Sequence, residues 1–262
     1  MLTLAVQNLA RERLLAGELS LGIGIRQSRT VDIAKVMKTA GFDWLFIDLE
    51  HSAMSLETAS EISSAALDAG IAPLVRVPHR QHWMATRALD NGALGIVAPH
   101  VDTPQEAREV VEHLRYPPEG HRSIGGAMPH FGFRPVKADE LTRTLNAASL
   151  VVVMLETPRA IDNAESIAAV PGVDVLLIGT NDLALEMGIA GDVGHERIVG
   201  AYQRVIDACR NHAKWPGMGG VYGEELMKRY IAMGMRFVLS GNDQGLLMTA
   251  ASQKAAFLRH LG

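Results

Sequence analysis

With 262 residues the chain can bury one large hydrophobic core, and no apolar run approaches the length of a membrane span, so no membrane partner is expected. Hydrophobic residues make up 48% and charged residues 21%, an ordinary globular balance, and a formal net charge of -4 offers nothing to a nucleic acid. The N-terminal stretch carries its arginines after its apolar residues, unlike a secretion signal, which predicts a cytoplasmic location, and the single cysteine, Cys209, excludes an internal disulfide.

Short apolar or β-branched runs predict eight strands: Ser20 to Ile25, Trp44 to Leu49, Pro73 to Val77, Leu94 to Pro99, Leu150 to Leu155, Val173 to Ile178, Gly217 to Val221 and Phe237 to Ser240. Helical spacing lies between them, at Val31 to Thr39, Leu56 to Leu67, Trp83 to Asp90, Pro104 to Leu114, Ala160 to Ala169, His195 to Ala213 and Gly223 to Met233. Cys209, inside one of these helices, reads as a buried structural thiol. Eight β/α units favour a closed (β/α)₈ TIM barrel over an open sheet, as a single domain over residues 1–262. Leu21-Gly-Ile-Gly-Ile25 lacks the third glycine of a dinucleotide fingerprint, which argues against such a site. Tyr116 to Asn146, rich in Pro, Gly, His and Arg, interrupts the rhythm and reads as a long functional loop or lid. The C-terminal stretch Gly241 to Leu261 reads as a helix with more apolar surface than one barrel flank needs, so it is expected to pack on a neighbouring subunit.

Ligands bind at the carboxyl ends of barrel strands, so the strand ends supply the candidates. These are Asp48, Glu50, His51, Arg76, His100, Glu156, Asp182, Tyr222, Asn242 and Asp243. Glu156 and Asp182 stand at the ends of two consecutive buried strands; two acids so placed repel unless they share a proton or a cation, and hard oxygen ligands suit a divalent metal such as Mg²⁺ or Mn²⁺. The lysines fall in helices or loops away from the strand ends, which disfavours Schiff-base chemistry and leaves a metal to accept charge on a carbonyl oxygen.

Five motifs, Phe42-Asp-Trp-Leu-Phe-Ile-Asp-Leu-Glu-His51, Pro73-Leu-Val-Arg76, Arg115-Tyr-Pro-Pro-Glu-Gly-His-Arg122, Leu155-Glu-Thr157 and Ile178-Gly-Thr-Asn-Asp-Leu183, occur in an order that resembles the metal-dependent class II pyruvate aldolases of the 4-hydroxy-2-oxoheptanedioate aldolase family. The resemblance spans nearly the whole chain. It implies a (β/α)₈ barrel whose C-terminal helix is exchanged between subunits of a homo-hexamer built as a trimer of dimers. It also implies reversible cleavage of 4-hydroxy-2-oxo acids to pyruvate, or a close 2-oxo acid such as hydroxypyruvate, and an aldehyde. Carried over by position, Glu156 and Asp182 bind the metal (Mg²⁺ or Mn²⁺ first, Co²⁺ or Zn²⁺ next), Arg76 contacts the keto or enolate oxygen, His51 and Asp90 form the acid–base dyad, and backbone amides at Asn181 and Asp182 hold the pyruvate carboxylate.

Three positions depart from the family pattern. Gly24 stands where a Trp is common, which predicts a roomier acceptor side; Met154 replaces a Gln; and Gly179-Thr-Asn-Asp182 replaces Gly-Pro-Ala-Asp or Gly-Pro-Ser-Asp. The Gly-Thr-Asn-Asp-Leu string also resembles the barrel domain of phosphoenolpyruvate-utilising phosphotransferases, but the chain has no room for their phosphohistidine domain. Acyl-CoA lyases are close in chemistry, yet no basic adenine-binding patch is visible. A non-catalytic metabolite-binding or assembly barrel is the remaining alternative, and the presence of Glu156, Asp182, Arg76 and His51 together weighs against it.

Overall fold

The computed structural model describes residues 6–261, so residues 1–5 of the N-terminal stretch and residue 262 of the expected domain lie outside it. Helix α1 (Leu9–Leu15) precedes strand β1 (Ser20–Ile25), and there follow α2 (Asp32–Thr39), β2 (Trp44–Asp48), α3 (Leu56–Ala69), β3 (Ala72–Arg76), α4 (His82–Asp90), β4 (Gly95–Ala98) and α5 (Pro104–Leu114). The second half comprises α6 (Ala138–Ala148), β5 (Leu150–Leu155), α7 (Pro158–Asp162), α8 (Ala164–Ala168), β6 (Val175–Gly179) and α9 (Thr180–Glu186). It ends with α10 (Glu196–Asn211), β7 (Trp215–Gly219), α11 (Glu224–Met233), β8 (Phe237–Asn242) and α12 (Asp243–Arg259). The eight strands close in sequence order into one parallel barrel, β8 pairing with β1.

The period of two along each strand divides the core into two layers. Leu45, Ile47, Val151, Val153 and Leu155 face the helices, whereas Trp44, Phe46, Leu150, Val152 and Met154 fill the barrel with Leu177, Phe237 and Leu239. Continued to the carboxyl ends, the inner phase reaches Asp48 as the last residue of β2, Arg76 as the last of β3 and Glu156 just after β5. The polar site is thus the top layer of the interior. At the other end α1 closes the barrel, its Ala10 and Leu14 joining the inner cluster. Asn8 ties that plug down: its side-chain amide donates to Leu94 O at 3.0 Å and Ala148 O at 2.8 Å while its oxygen caps α1 at Arg11 N.

Two expectations change. Tyr116 to Asn146 is not loop throughout, because α6 occupies its last third and packs Leu141 and Leu145, four residues apart, onto Tyr116, Met128 and Phe131. The helix expected over Ala160 to Ala169 is two short ones, separated at Asn163. Cys209 is buried, and burial pushes its thiol up to about 12.

Trp44 stacks on Phe237 with ring centroids 4.0 Å apart, and its indole occupies the space beside Gly22, where an added Cβ would lie 2.1 Å from the ring. Gly22→Ala should therefore destabilise the barrel by about 1–3 kcal/mol through overpacking, read as a lower urea midpoint at unchanged m-value.

Candidate active site

Asp48 organises the mouth of the barrel. Its carboxylate, fully buried, accepts from Arg76 Nε at 2.9 Å, Arg76 Nη2 at 2.7 Å and Arg26 Nε at 2.9 Å, and from the backbone N–H groups of Glu50 and His51 at 3.1 and 3.2 Å. Burial alone would raise its proton affinity, but Arg76 foremost, with His51 N–H and Arg26, holds Asp48 below the ordinary value of 3.8. Arg76, itself buried, also lies over the Phe46 ring and has Nη1 3.2 Å from Glu50 Oε2. Its planar head is locked by Asp48 on one edge and faces Glu50 on the other.

Glu156 is the opposite case. It is 1% exposed, and desolvation pushes it up to about 7 against the pull of His100, with Asp182 adding repulsion. His100, held at φ 54°, turns its backbone N–H onto Glu156 Oε2 at 2.8 Å and places Nδ1 3.2 Å from the same oxygen. Oε1 accepts no hydrogen bond among the described residues and rests against Gly179, where an added Cβ would come within 2.7 Å of it. The open oxygen of a buried acid, with no protein donor, beside a second acid and in a cradle that only glycine leaves open, fits a hard divalent cation. Among the described residues no three His, Cys, Asp or Glu side chains form a metal cluster, so a cation here would draw its remaining ligands from water and substrate oxygens.

Asp182 does not follow a free turn as expected; it is the third residue of α9, whose first residue, Thr180, hydrogen-bonds Gly219 O and Tyr202 OH, each at 2.7 Å. That buried hydroxyl pins the start of the helix at the position where the resemblance expects a proline. The cavity in front, about 80 Å³, is lined by His51, Arg76, Asn181, Asp182, Tyr222 and Arg26 over a floor of Phe46, Met154, Leu177 and Leu239.

The sequence pattern described as HpcH/HpaI aldolase/citrate lyase matches residues 27–250. The chain belongs to that family. It is 39% identical to the 4-hydroxy-4-methyl-2-oxoglutarate aldolase of Hapsidospora irregularis over 255 residues, covering 96% of this chain and 94% of that one. It is 34% identical to the 4-hydroxy-2-oxo-heptane-1,7-dioate aldolase of Escherichia coli over 251 residues, covering 96% and 95%. An HpcH/HpaI aldolase structure from Desulfitobacterium hafniense superposes with a TM-score of 0.92 at 28% identity, covering 98% of each chain. The chain is accordingly a carbon–carbon lyase on a (β/α)₈ barrel.

Within this HpcH/HpaI barrel Arg76, Glu156, Asn181, Asp182 and His51 gather at one mouth, His51 with its side chain 54% exposed. Asp90 is not among them. It ends α4, which runs back to the amino ends of the strands, and it is ion-paired with Arg122 at 2.6 Å; it makes no hydrogen bond to His51. Helix direction alone separates the two, since a residue following a barrel strand and one preceding the next strand lie at opposite ends. Gly24 also departs from expectation: it is absent from the cavity wall, and a Cβ there would press on Asn242 Cβ at 3.0 Å and Gly241 O at 3.1 Å, so a Trp at this position would first have to part β1 from β8. Arg26 was missed among the candidates, though Gly22, Gly24 and Arg26 share the inner phase of β1 and its extension.

Asp48→Asn should leave two guanidiniums without their shared charge and cost about 3–5 kcal/mol in urea unfolding at neutral pH. Because Asp48 is lowered in the folded state, its contribution is present above the ordinary value of 3.8 and is lost as the pH falls through the lower folded value. The stability gap between the natural chain and Asp48→Asn should therefore narrow below about pH 4.

Proposed function

We propose that the chain is a divalent-metal-dependent aldolase that reversibly cleaves 4-hydroxy-2-oxo acids to pyruvate, or a close 2-oxo acid such as hydroxypyruvate, and an aldehyde. The observation that carries this reading is Glu156, a buried carboxylate with one oxygen unpartnered beside Asp182 and across from Arg76. The two relatives' names, both 2-oxo acid aldolases, support the substrate class.

Glu156 and Asp182 would hold the cation, Mg²⁺ or Mn²⁺ by the hardness of two carboxylate ligands, with Co²⁺ and Zn²⁺ as weaker fits. When bound, it supplies an electrophile for the 2-oxo acid's keto oxygen. Arg76, fixed by Asp48, offers positive charge to the oxygen that becomes negative as the enolate forms, and needs no reorganisation to do so. The first-turn N–H groups at Asn181 and Asp182, which have no partner within α9, receive the substrate carboxylate. In cleavage His51 takes the C4 hydroxyl proton through water; the C3–C4 bond breaks with its electron pair moving to C3, C4 becomes the carbonyl of the aldehyde, and C3 is reprotonated to give pyruvate. The exposed His51 imidazole suits that shuttle. Asp90 cannot orient His51 within one chain, so we assign that role to Asp90 of a second copy.

A second copy is also implied by α12. Leu246, Leu247, Met248, Phe257 and Leu258 are all at least half exposed, and of the whole helix only Asp243 is buried. A helix so apolar that does not lie on its own barrel is best covered by exchange with a neighbour, in a homo-hexamer built as a trimer of dimers. No helix among the described residues is long and apolar enough to cross a membrane, and we place the enzyme in the cytoplasm.

Pyruvate release from a panel of 4-hydroxy-2-oxo acids should vanish in excess chelator and return with Mg²⁺ or Mn²⁺, while Glu156→Gln and Asp182→Ala should lose metal binding by calorimetry as well as turnover. Full turnover in chelator would overturn the metal assignment. Sedimentation should give a hexamer that falls apart when residues 244–262 are deleted; a monomeric full-length chain would rule out both the exchanged helix and the dyad drawn from two copies.

A further inference from the structure

Arg26 is a guanidinium held in place with its working end free. Its backbone N–H donates to Asp243 Oδ1 at 2.9 Å, and the same buried carboxylate takes the N–H groups of Gln27 and Ser28 at 3.0 and 2.7 Å, fixing the loop that leaves β1. Its Nε donates to Asp48 Oδ2 at 2.9 Å. Both terminal nitrogens have no hydrogen-bond or ion-pair partner among the described residues, and the side chain, 34% exposed, forms part of the cavity wall. With Nε occupied, what remains is the end-on Nη1/Nη2 fork, a geometry that matches the two oxygens of a carboxylate.

Among the described residues Arg26 and Arg76 are the only arginines or lysines lining this cavity, and they are not equivalent. Arg76 has Nε and Nη2 committed to Asp48 and Nη1 facing Glu50. A mere counter-charge for Asp48 is already supplied by that bidentate contact, so a second arginine with a free fork, restrained at both main chain and Nε, is more than the buried acid requires. The two heads share Asp48 Oδ2 and are therefore neighbours. With both heads on one oxygen of Asp48, a substrate whose C2 oxygen met Arg76 would present its C4 substituent, rather than the far end of a longer chain, to the Arg26 fork. The floor of Phe46, Met154, Leu177 and Leu239 offers an anion nothing else.

Resting on the aldolase reading above, we propose that Arg26 selects the acceptor: it binds a carboxylate attached directly to C4, so the preferred carbonyl partner is itself a 2-oxo acid, from glyoxylate upward, over an aldehyde that lacks the carboxylate. Restraint at two points lowers the ordering cost of that contact.

The test compares pyruvate release from 4-hydroxy-4-methyl-2-oxoglutarate, which carries the C4 carboxylate, with release from 4-hydroxy-2-oxopentanoate, which lacks it. The natural chain should prefer the first. Arg26→Met should lose about 10–100-fold more in kcat/KM on the first than on the second, chiefly through KM, with Arg26→Gln as the replacement should the Met variant fail to fold. Equal losses on both substrates, or no loss, would overturn the proposal. Exchange of pyruvate's methyl protons by the natural chain separates the two levels: exchange without preference for the carboxylated substrate refutes the role of Arg26 alone, whereas neither exchange nor cleavage of either substrate refutes the aldolase reading and this proposal with it.

Discussion

A single buried carboxylate sets the geometry of the barrel's mouth. Asp48 ends β2 on the inner phase, receives five donors and is surrounded by protein on every side. Removing such a charge from water is tolerable only when every lone pair is answered, and the residues it fixes, Arg76, Arg26 and His51, line the cavity. Arg76 is oriented by it bidentately, Arg26 monodentately, and the chain turn carrying Glu50 and His51 is fixed through its amides. Arg76, Arg26 and the turn carrying His51 are thus positioned by one ion rather than by packing.

Asp48 and Glu156 show how burial can have opposite results at two strand ends of one barrel. Both are removed from solvent, and desolvation opposes the charge of each. Asp48 has enough donors to stay ionised. Glu156 has His100 on one oxygen and bare glycine behind the other, and Asp182 adds repulsion that outweighs the pull of Arg76. The two environments drive the carboxylates apart: one acid holds the scaffold, the other keeps an oxygen that no protein donor occupies.

Much of this legibility came from period and position. The eight runs of apolar residues specified eight parallel strands, since strands covered on both faces must be continuously hydrophobic, and every strand was found within two residues of its expected limits. Glu156, Arg76 and His51 were recognisable because a charge directly after such a run can only emerge at the carboxyl end. Arg26 escaped the same rule because two glycines, Gly22 and Gly24, blur the alternation that would have assigned its face. Helix α6 escaped because the proline- and glycine-rich stretch before it masked a short i, i+4 leucine pair.

What the sequence by itself determined is therefore the barrel, the strand-end location of the acids and the absence of a lysine at the mouth, all of which follow from local periodicity. Tertiary structure alone decided the partners. That Arg26 and Arg76 meet on one oxygen of Asp48, that His100 reaches Glu156 across 56 positions, and that Asp90 faces away from His51 despite lying in a neighbouring β/α unit are consequences of strand register and helix direction. Those quantities are fixed by closure of the sheet, a property of all eight strands together that no single segment of the chain encodes.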